Sequence, residues 1–181
     1  MTKGFVIWLT GLSGSGKTTI ARELEKYLVN NAHRNVEVLD GDVVRKNLSP
    51  DLGFSKEERN QHNRRVIWVS KILARNGVVV IVSLISPYRE VRDYARSELS
   101  QDERSGFMEI FVKCSIETCI QRDPKGLYKR ALAGEIKKMT GIDDPYQEPL
   151  NPDLIVDTDK ETVVESAQKI IEAAKTIGYL S

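Results

Sequence analysis

Cysteine and histidine are both scarce in this 181-residue chain, with two of each. Cys114 and Cys119 stand five apart with no second pair. That leaves no disulfide framework and no Cys/His zinc site, and two free thiols, buried or half-buried, are expected. An excess of one charge is also lacking. The 27 Lys and Arg residues against 26 Asp and Glu leave a formal +1, which gives no electrostatic reason to invoke nucleic acid or an anionic membrane. No apolar run approaches the roughly 18 residues that cross a bilayer. The opening MTKGFVIW leads straight into a strand-like run, so no signal peptide is read and a cytoplasmic protein is expected. Repeats, low-complexity segments and linkers are missing as well. With 40% apolar and 29% charged residues, the composition is that of one globular domain over 1–181 with a core large enough to need no disulfide.

What is present is a phosphate-binding pattern at the N-terminal end. Residues Gly11, Leu12, Ser13, Gly14, Ser15, Gly16, Lys17 and Thr18 spell GLSGSGKT, a full match to G-x-x-x-x-G-K-[ST], and Thr19 follows. Phe5 to Leu9 reads as a buried strand before the loop. Ile20, Leu24, Tyr27 and Leu28 recur behind it at helical spacing. Glycines let the backbone wrap a phosphate chain with its N–H groups pointing inward, and the helix N-terminus adds partial positive charge. Lys17, read as an exposed loop lysine, can then reach the terminal phosphates of ATP, and Thr18 can offer its hydroxyl to Mg²⁺.

Downstream, apolar runs alternate with helical patterns. Strands are expected at Val36–Leu39, Val78–Val82, Phe107–Val112 and Leu154–Val156, and helices at about 56–75, 86–99, 117–122 and 161–177. Five strands with intervening helices predict an α/β fold, a three-layer parallel five-stranded sheet. The stretch from Asp123 to Pro152 breaks the alternation. It has no strand-like run and is rich in Gly, Pro and Lys. A long irregular stretch in a compact domain is usually functional, and here it reads as a mobile lid that excludes water.

A phosphate loop alone does not separate a kinase from a switch GTPase or a motor. There is no N-K-x-D base-reading motif, and the chain is short for a motor. A small-molecule kinase remains, and it needs an acceptor pocket. Asp40 and Asp42 end the second strand, at the carboxyl edge where open α/β sheets bind ligands. A carboxylate there can orient an acceptor hydroxyl or hold Mg²⁺ through water; the less favoured alternative is that Asp-Gly-Asp is only a turn with a helix cap. Arg45, Arg59, Arg64 and Arg65 surround Phe54 in sequence. Guanidinium forks suit an anionic acceptor, and Phe54 offers a face for stacking on a base.

Taken together, GLSGSGKTT, LDGDVVRKNLSPDLGFSKEERN, ISPYREVRDYAR and RDPKGLYKRALAGEIKKMTGIDDPYQEP resemble the adenylyl-sulfate kinase family across nearly the whole chain. The resemblance implies a phosphate-loop, nucleoside-kinase-like fold with a lid near 123–152. It implies transfer of the ATP γ-phosphate to the 3′-hydroxyl of adenosine 5′-phosphosulfate (APS). It also implies a homodimer, and it leaves room for association with a sulfurylase. Carried over residue by residue, it gives Arg45, Phe54 and Arg59 to the acceptor and puts Asp42 near the reacting hydroxyl. Ile85 and Ser86 then line the acceptor pocket, Lys125 and Leu127 close over it, and Arg122 lies on the ATP side. Ser86 is the serine that some members are thought to phosphorylate transiently, but before Pro87 it also reads as a helix N-cap, and capping plus ligand contact is the preferred reading. Three positions depart from the family pattern: His62 stands for an asparagine, and Met139 and Leu84 each stand for a phenylalanine. The competing readings are a kinase of another small anion and a nucleotide-binding subunit that no longer catalyses. Intact Lys17, Thr18 and Asp42 weigh against the second.

Overall fold

The computed structural model describes residues 3–180, so the outermost positions of the expected 1–181 domain lie outside it. Strand β1 (Phe5–Thr10) runs into the phosphate loop and helix α1 (Lys17–Asn30), followed by β2 (Val36–Asp40), α2 (Gly41–Leu48) and α3 (Lys56–Arg75). Strand β3 (Val79–Ser83), α4 (Arg89–Ser100), β4 (Phe107–Lys113) and α5 (Ile116–Arg122) come next. Helix α6 (Leu127–Leu132), β5 (Leu154–Asp157) and α7 (Val163–Ile177) complete the order. All strand pairs are parallel, in the order β2-β3-β1-β4-β5. The expected three-layer α/β architecture is what the chain adopts.

The central strand explains why. Every residue of β1 is buried, and its side chains alternate between two cores. Phe5, Ile7 and Leu9 join α1 and α7 on one face; Val6 and Trp8 join α2, α3 and α4 on the other. Helix α1 buries Ile20, Ala21, Leu24 and Leu28 on a single stripe. Because β1 sits between β3 and β4, its carboxyl end opens where the strand order reverses, which is where such sheets bind ligands.

Two local expectations are corrected. Ser86 does not cap a helix: α4 begins at Arg89 after Tyr88, and Ser86 has φ +46°. The N–H of Arg89 is met instead by Gln147 Oε1 at 2.9 Å, from 58 residues away. The 123–152 stretch is not structureless either. It contains α6, whose Tyr128 is fully buried against Cys119 and Met139 in a third, smaller core. Both cysteines are free, Cys119 buried and Cys114 half-buried.

The central packing generates a simple prediction. Ile81→Ala on β3 should lower the unfolding free energy by about 2–5 kcal/mol. Val29→Ala, at an exposed position of α1, should change it by less than about 0.5 kcal/mol. Urea denaturation of the two variants checks the contrast.

Candidate active site

Gly11, at the end of β1, begins the phosphate loop. A Cβ there would lie 2.4 Å from the Val112 carbonyl, so only glycine fits beside β4. Gly16 then takes a left-handed φ of +98° as the residue before α1, with no side chain capping the helix. The first-turn amides of α1 are thus left without a side-chain cap, as an anion site requires.

Lys17 is not the exposed lysine expected from the sequence; it is buried, 8% exposed. Its Nζ donates to the Gly11 carbonyl at 2.9 Å and the Leu12 carbonyl at 2.7 Å. Burial pushes the ammonium down to about 8; Lys125 adds to the push, and Asp40 opposes it. Thr18 Oγ1 donates to Asp40 Oδ2 at 2.8 Å. Asp40 also caps α2, its Oδ1 accepting from the Asp42 N–H at 3.1 Å. Of the two acidic residues after β2, Asp40 is therefore the one tied to the phosphate loop. Asp42, one residue into α2, pairs instead with Lys125 from the 123–152 stretch, both largely exposed. Between them, Gly41 has room for no side chain to spare: a Cβ would stand 3.1 Å from Leu84.

A cavity of about 1060 Å³ opens from this point. Of the residues singled out in the sequence, Ser13, Gly14, Gly16, Lys17, Thr18, Thr19 and Arg122 line it. Asp42, Arg45, Phe54, Arg59, His62, Ile85, Ser86, Lys125, Leu127 and Met139 line it as well. Gly11, Leu12 and Ser15 sit behind the wall as loop framework. Arg64 and Arg65 lie away from the cavity: Arg65 makes a double hydrogen bond to Asp51, and Arg64 lies 4.2 Å over the Tyr94 ring.

Phe54 owes its place to a capping box. Ser55 Oγ accepts from the Glu58 N–H, while the Glu58 carboxylate accepts from the N–H groups of Ser55 and Gly53. These bonds hold the Glu58 carboxyl below its ordinary pKa and fix the 53–55 loop. Phe54 projects, 54% exposed, between Arg45 (4.3 Å) and Arg59 (5.4 Å). Burial holds the Arg45 guanidinium below its ordinary pKa, and Arg59 beside it adds to the shift. His62 is buried, with Nδ1 2.9 Å from Ser49 Oγ; burial, with Arg45 and Arg65, pushes its ring down to about 4, so it is neutral at pH 7.

Several residues at the site were missed in the sequence. Tyr128 on α6 donates to the Ser13 carbonyl at 2.9 Å, fastening the 123–152 stretch to the phosphate loop. Thr158, after β5, holds the Ser15 carbonyl at 2.9 Å and accepts from Arg122 through its hydroxyl at 3.2 Å and its carbonyl at 2.7 Å. Arg59 Nη2 donates to the Lys138 carbonyl at 2.6 Å, so this arginine also joins α3 to the lid segment. Only Glu58 had a sequence signal, the S-x-x-E spacing; the others depend on distant partners.

A phosphate loop opening into a cavity that Arg45, Arg59 and Phe54 also line is the arrangement of a phosphate-loop small-molecule kinase. Comparison with known proteins narrows this. The adenylylsulphate kinase family model matches residues 3–157, and the chain belongs to that family. A probable adenylyl-sulfate kinase of Pyrococcus abyssi is 53% identical over 178 residues, covering 98% of this chain and 99% of the relative. The adenylyl-sulfate kinase of Rippkaea orientalis is 52% identical over 99% of this chain and 96% of its own. Among solved structures, a Mycobacterium tuberculosis APS kinase in complex with AMPPNP and APS superposes with a TM-score of 0.92 at 42% identity, covering 97% of this chain and 99% of that one.

The buried lysine generates a pH prediction. Phosphate binds the ammonium form, so nucleotide affinity should be full below about pH 8 and weaken by up to about tenfold per unit above it. Calorimetry of a non-hydrolysable ATP analogue in buffers of different ionisation enthalpy should show uptake approaching about one proton near pH 9, falling toward zero below about pH 7. Lys17→Met should abolish the uptake.

Proposed function

We propose that this chain, read as one kinase domain over 1–181, transfers the γ-phosphate of ATP to the 3′-hydroxyl of APS, giving 3′-phosphoadenosine 5′-phosphosulfate and ADP. The observation that carries this reading is that one cavity is lined both by the phosphate loop and by the Arg45, Phe54 and Arg59 cluster. Lys17 and the open amides of α1 suit a triphosphate at one end; Arg45, Arg59 and Phe54 suit a nucleotide with an anionic tail at the other. No covalent intermediate is needed, because in-line transfer between two bound nucleotides asks for positioning and charge neutralisation.

In this reading Lys17 leaves the Gly11 and Leu12 carbonyls to hold the β- and γ-phosphates, and Arg122, braced by Thr158, lies on the ATP side. The Thr18 hydroxyl and the Asp40 carboxylate are hard oxygen donors 2.8 Å apart and fit Mg²⁺. Among the described residues no group of three or more His, Cys, Asp or Glu could hold a metal; an ion carried largely by phosphates and water needs no such cage. Bound there, Mg²⁺ would neutralise charge on the transferring phosphate. Asp42 orients the acceptor hydroxyl. Lys125 and Leu127 close over the acceptor, Ile85 and Ser86 form its wall, and Met139 and His62 complete the pocket. Ser86 Oγ accepts from Trp8 and donates to Asn63, each at 3.1 Å, which favours a wall residue over a phosphate carrier.

A cytoplasmic homodimer is part of the same reading. Among the described residues no helix is long and apolar enough to cross a membrane, and no nucleic-acid or membrane partner is invoked. An APS kinase from Thiobacillus denitrificans is hexameric, but this chain covers only 30% of it. Association with a sulfurylase is left to copurification.

An ADP-release assay with APS, AMP and shikimate as acceptors tests the reading: turnover should be confined to APS, with phosphorus NMR placing the new phosphate on the 3′-oxygen. Phosphorylation of a 3′-deoxy acceptor would overturn it. Asp42→Asn should lower kcat by about 10²–10⁴-fold with little change in either KM. Restoration by added Mg²⁺ would move Asp42 from the hydroxyl to the metal.

A further inference from the structure

Arg92 on α4 is 1% exposed, and it does not line the cavity. Its Nε donates to Glu109 Oε1 at 2.9 Å, on the central part of β4, where Glu109 is itself 4% exposed. Its two terminal nitrogens donate to backbone carbonyls, one to Ser86 and the other to Gln147. A buried ion pair is weak support for stability, since apolar residues of similar volume often serve as well. A planar guanidinium, however, can meet three acceptors at fixed angles, which no apolar side chain or lysine can do.

What it meets is the wall of the acceptor pocket. Ser86 has φ +46°, a left-handed conformation that L side chains disfavour, so its surroundings must hold it there. Three successive carbonyls are tied down. Ile85 accepts from Thr10 Oγ1 at 2.7 Å, Ser86 from Arg92, and Pro87 from the Gln147 N–H at 2.8 Å. Thr10 Oγ1 in turn lies 2.9 Å from Tyr146 Oη. Tyr146 and Gln147 belong to the stretch where the lid segment returns toward the sheet. Arg92, like Thr10 on β1, touches the pocket wall, the returning segment and the central sheet at once, and it alone of the two does so with a charged, planar group.

We infer that Arg92 is a positioning residue for the acceptor: through the Ser86 carbonyl it holds the Ile85–Pro87 wall in its binding shape and locks that wall to the lid return at Gln147. The inference rests on the acceptor assignment given above. It predicts that damage at Arg92 reaches the acceptor end of the cavity and spares the nucleotide end, which is built from other elements.

The test is steady-state kinetics on the full chain, with wild type as the control for the acceptor itself. Arg92→Lys keeps a cation beside Glu109 but cannot bridge the three acceptors. It should raise the KM for APS by about tenfold or more and lower kcat, while Kd for a non-hydrolysable ATP analogue stays within about twofold. Arg92→Met combined with Glu109→Gln, which leaves no unpaired buried charge, should show the same split. Equal changes at both substrates, no change, or failure of both variants to fold would overturn the inference, the last by showing that Arg92 serves the whole fold. If wild type itself leaves APS unphosphorylated, the functional reading fails and takes this inference with it. If wild type turns APS over but the split is missing, the inference fails alone.

Discussion

The constraint on which the site depends is the burial of one positive charge. Lys17, the first residue of α1, is buried behind the loop that follows β1, where water cannot solvate its ammonium well, and it turns back on the carbonyls of that loop. Those carbonyls are partial compensation, which is why burial still drives the group down to about 8. A polyphosphate supplies full charge in the same place. In the proposed reading the loop exchanges carbonyl contacts for phosphate contacts, and a charge interaction that water would screen is stronger in this less polar pocket.

The 123–152 stretch is tied to the rest of the cavity lining at several points. Tyr128 reaches the phosphate loop, Lys125 reaches Asp42, and Arg59 reaches the Lys138 carbonyl. Asp42 and Lys125 are largely exposed, so their pairing contributes little to stability. Arg59 is held more firmly, near Asp144 as well as the lid backbone. In the proposed reading the acceptor side is therefore assembled jointly by α2, α3 and the 123–152 stretch, whereas the nucleotide side belongs to the β1–α1 junction and the segments after β4 and β5.

The sheet and the phosphate loop were legible because their signals are local. β-branched runs, helical spacing and a glycine-lysine pattern are written within ten or twenty residues. The second step, from phosphate loop to acceptor pocket, needed the family resemblance, since arginines in a helix do not say which way they face. Arg45 and Arg59 do flank Phe54, while Arg64 and Arg65, in the same run, pair elsewhere. Ser86 shows how a local signal is overridden. Ser-Pro should open a helix, yet the Ser86 hydroxyl is taken by Trp8 and Asn63 and its carbonyl by Arg92, so α4 starts three residues later. Tyr128, Thr158 and Gln147 act on partners between 58 and 143 residues away. No pattern in the chain records such pairings.

The most direct measurement is a crystal structure with a non-hydrolysable ATP analogue and APS bound together. The account predicts that Lys17 Nζ has left the Gly11 and Leu12 carbonyls for the terminal phosphates, and that the acceptor adenine lies against Phe54. The ribose 3′-oxygen should then face the γ-phosphorus at about 3–3.5 Å, in line for transfer. Lys17 still bound to its own loop, or an acceptor seated with its 3′-oxygen turned from the γ-phosphorus, would contradict it.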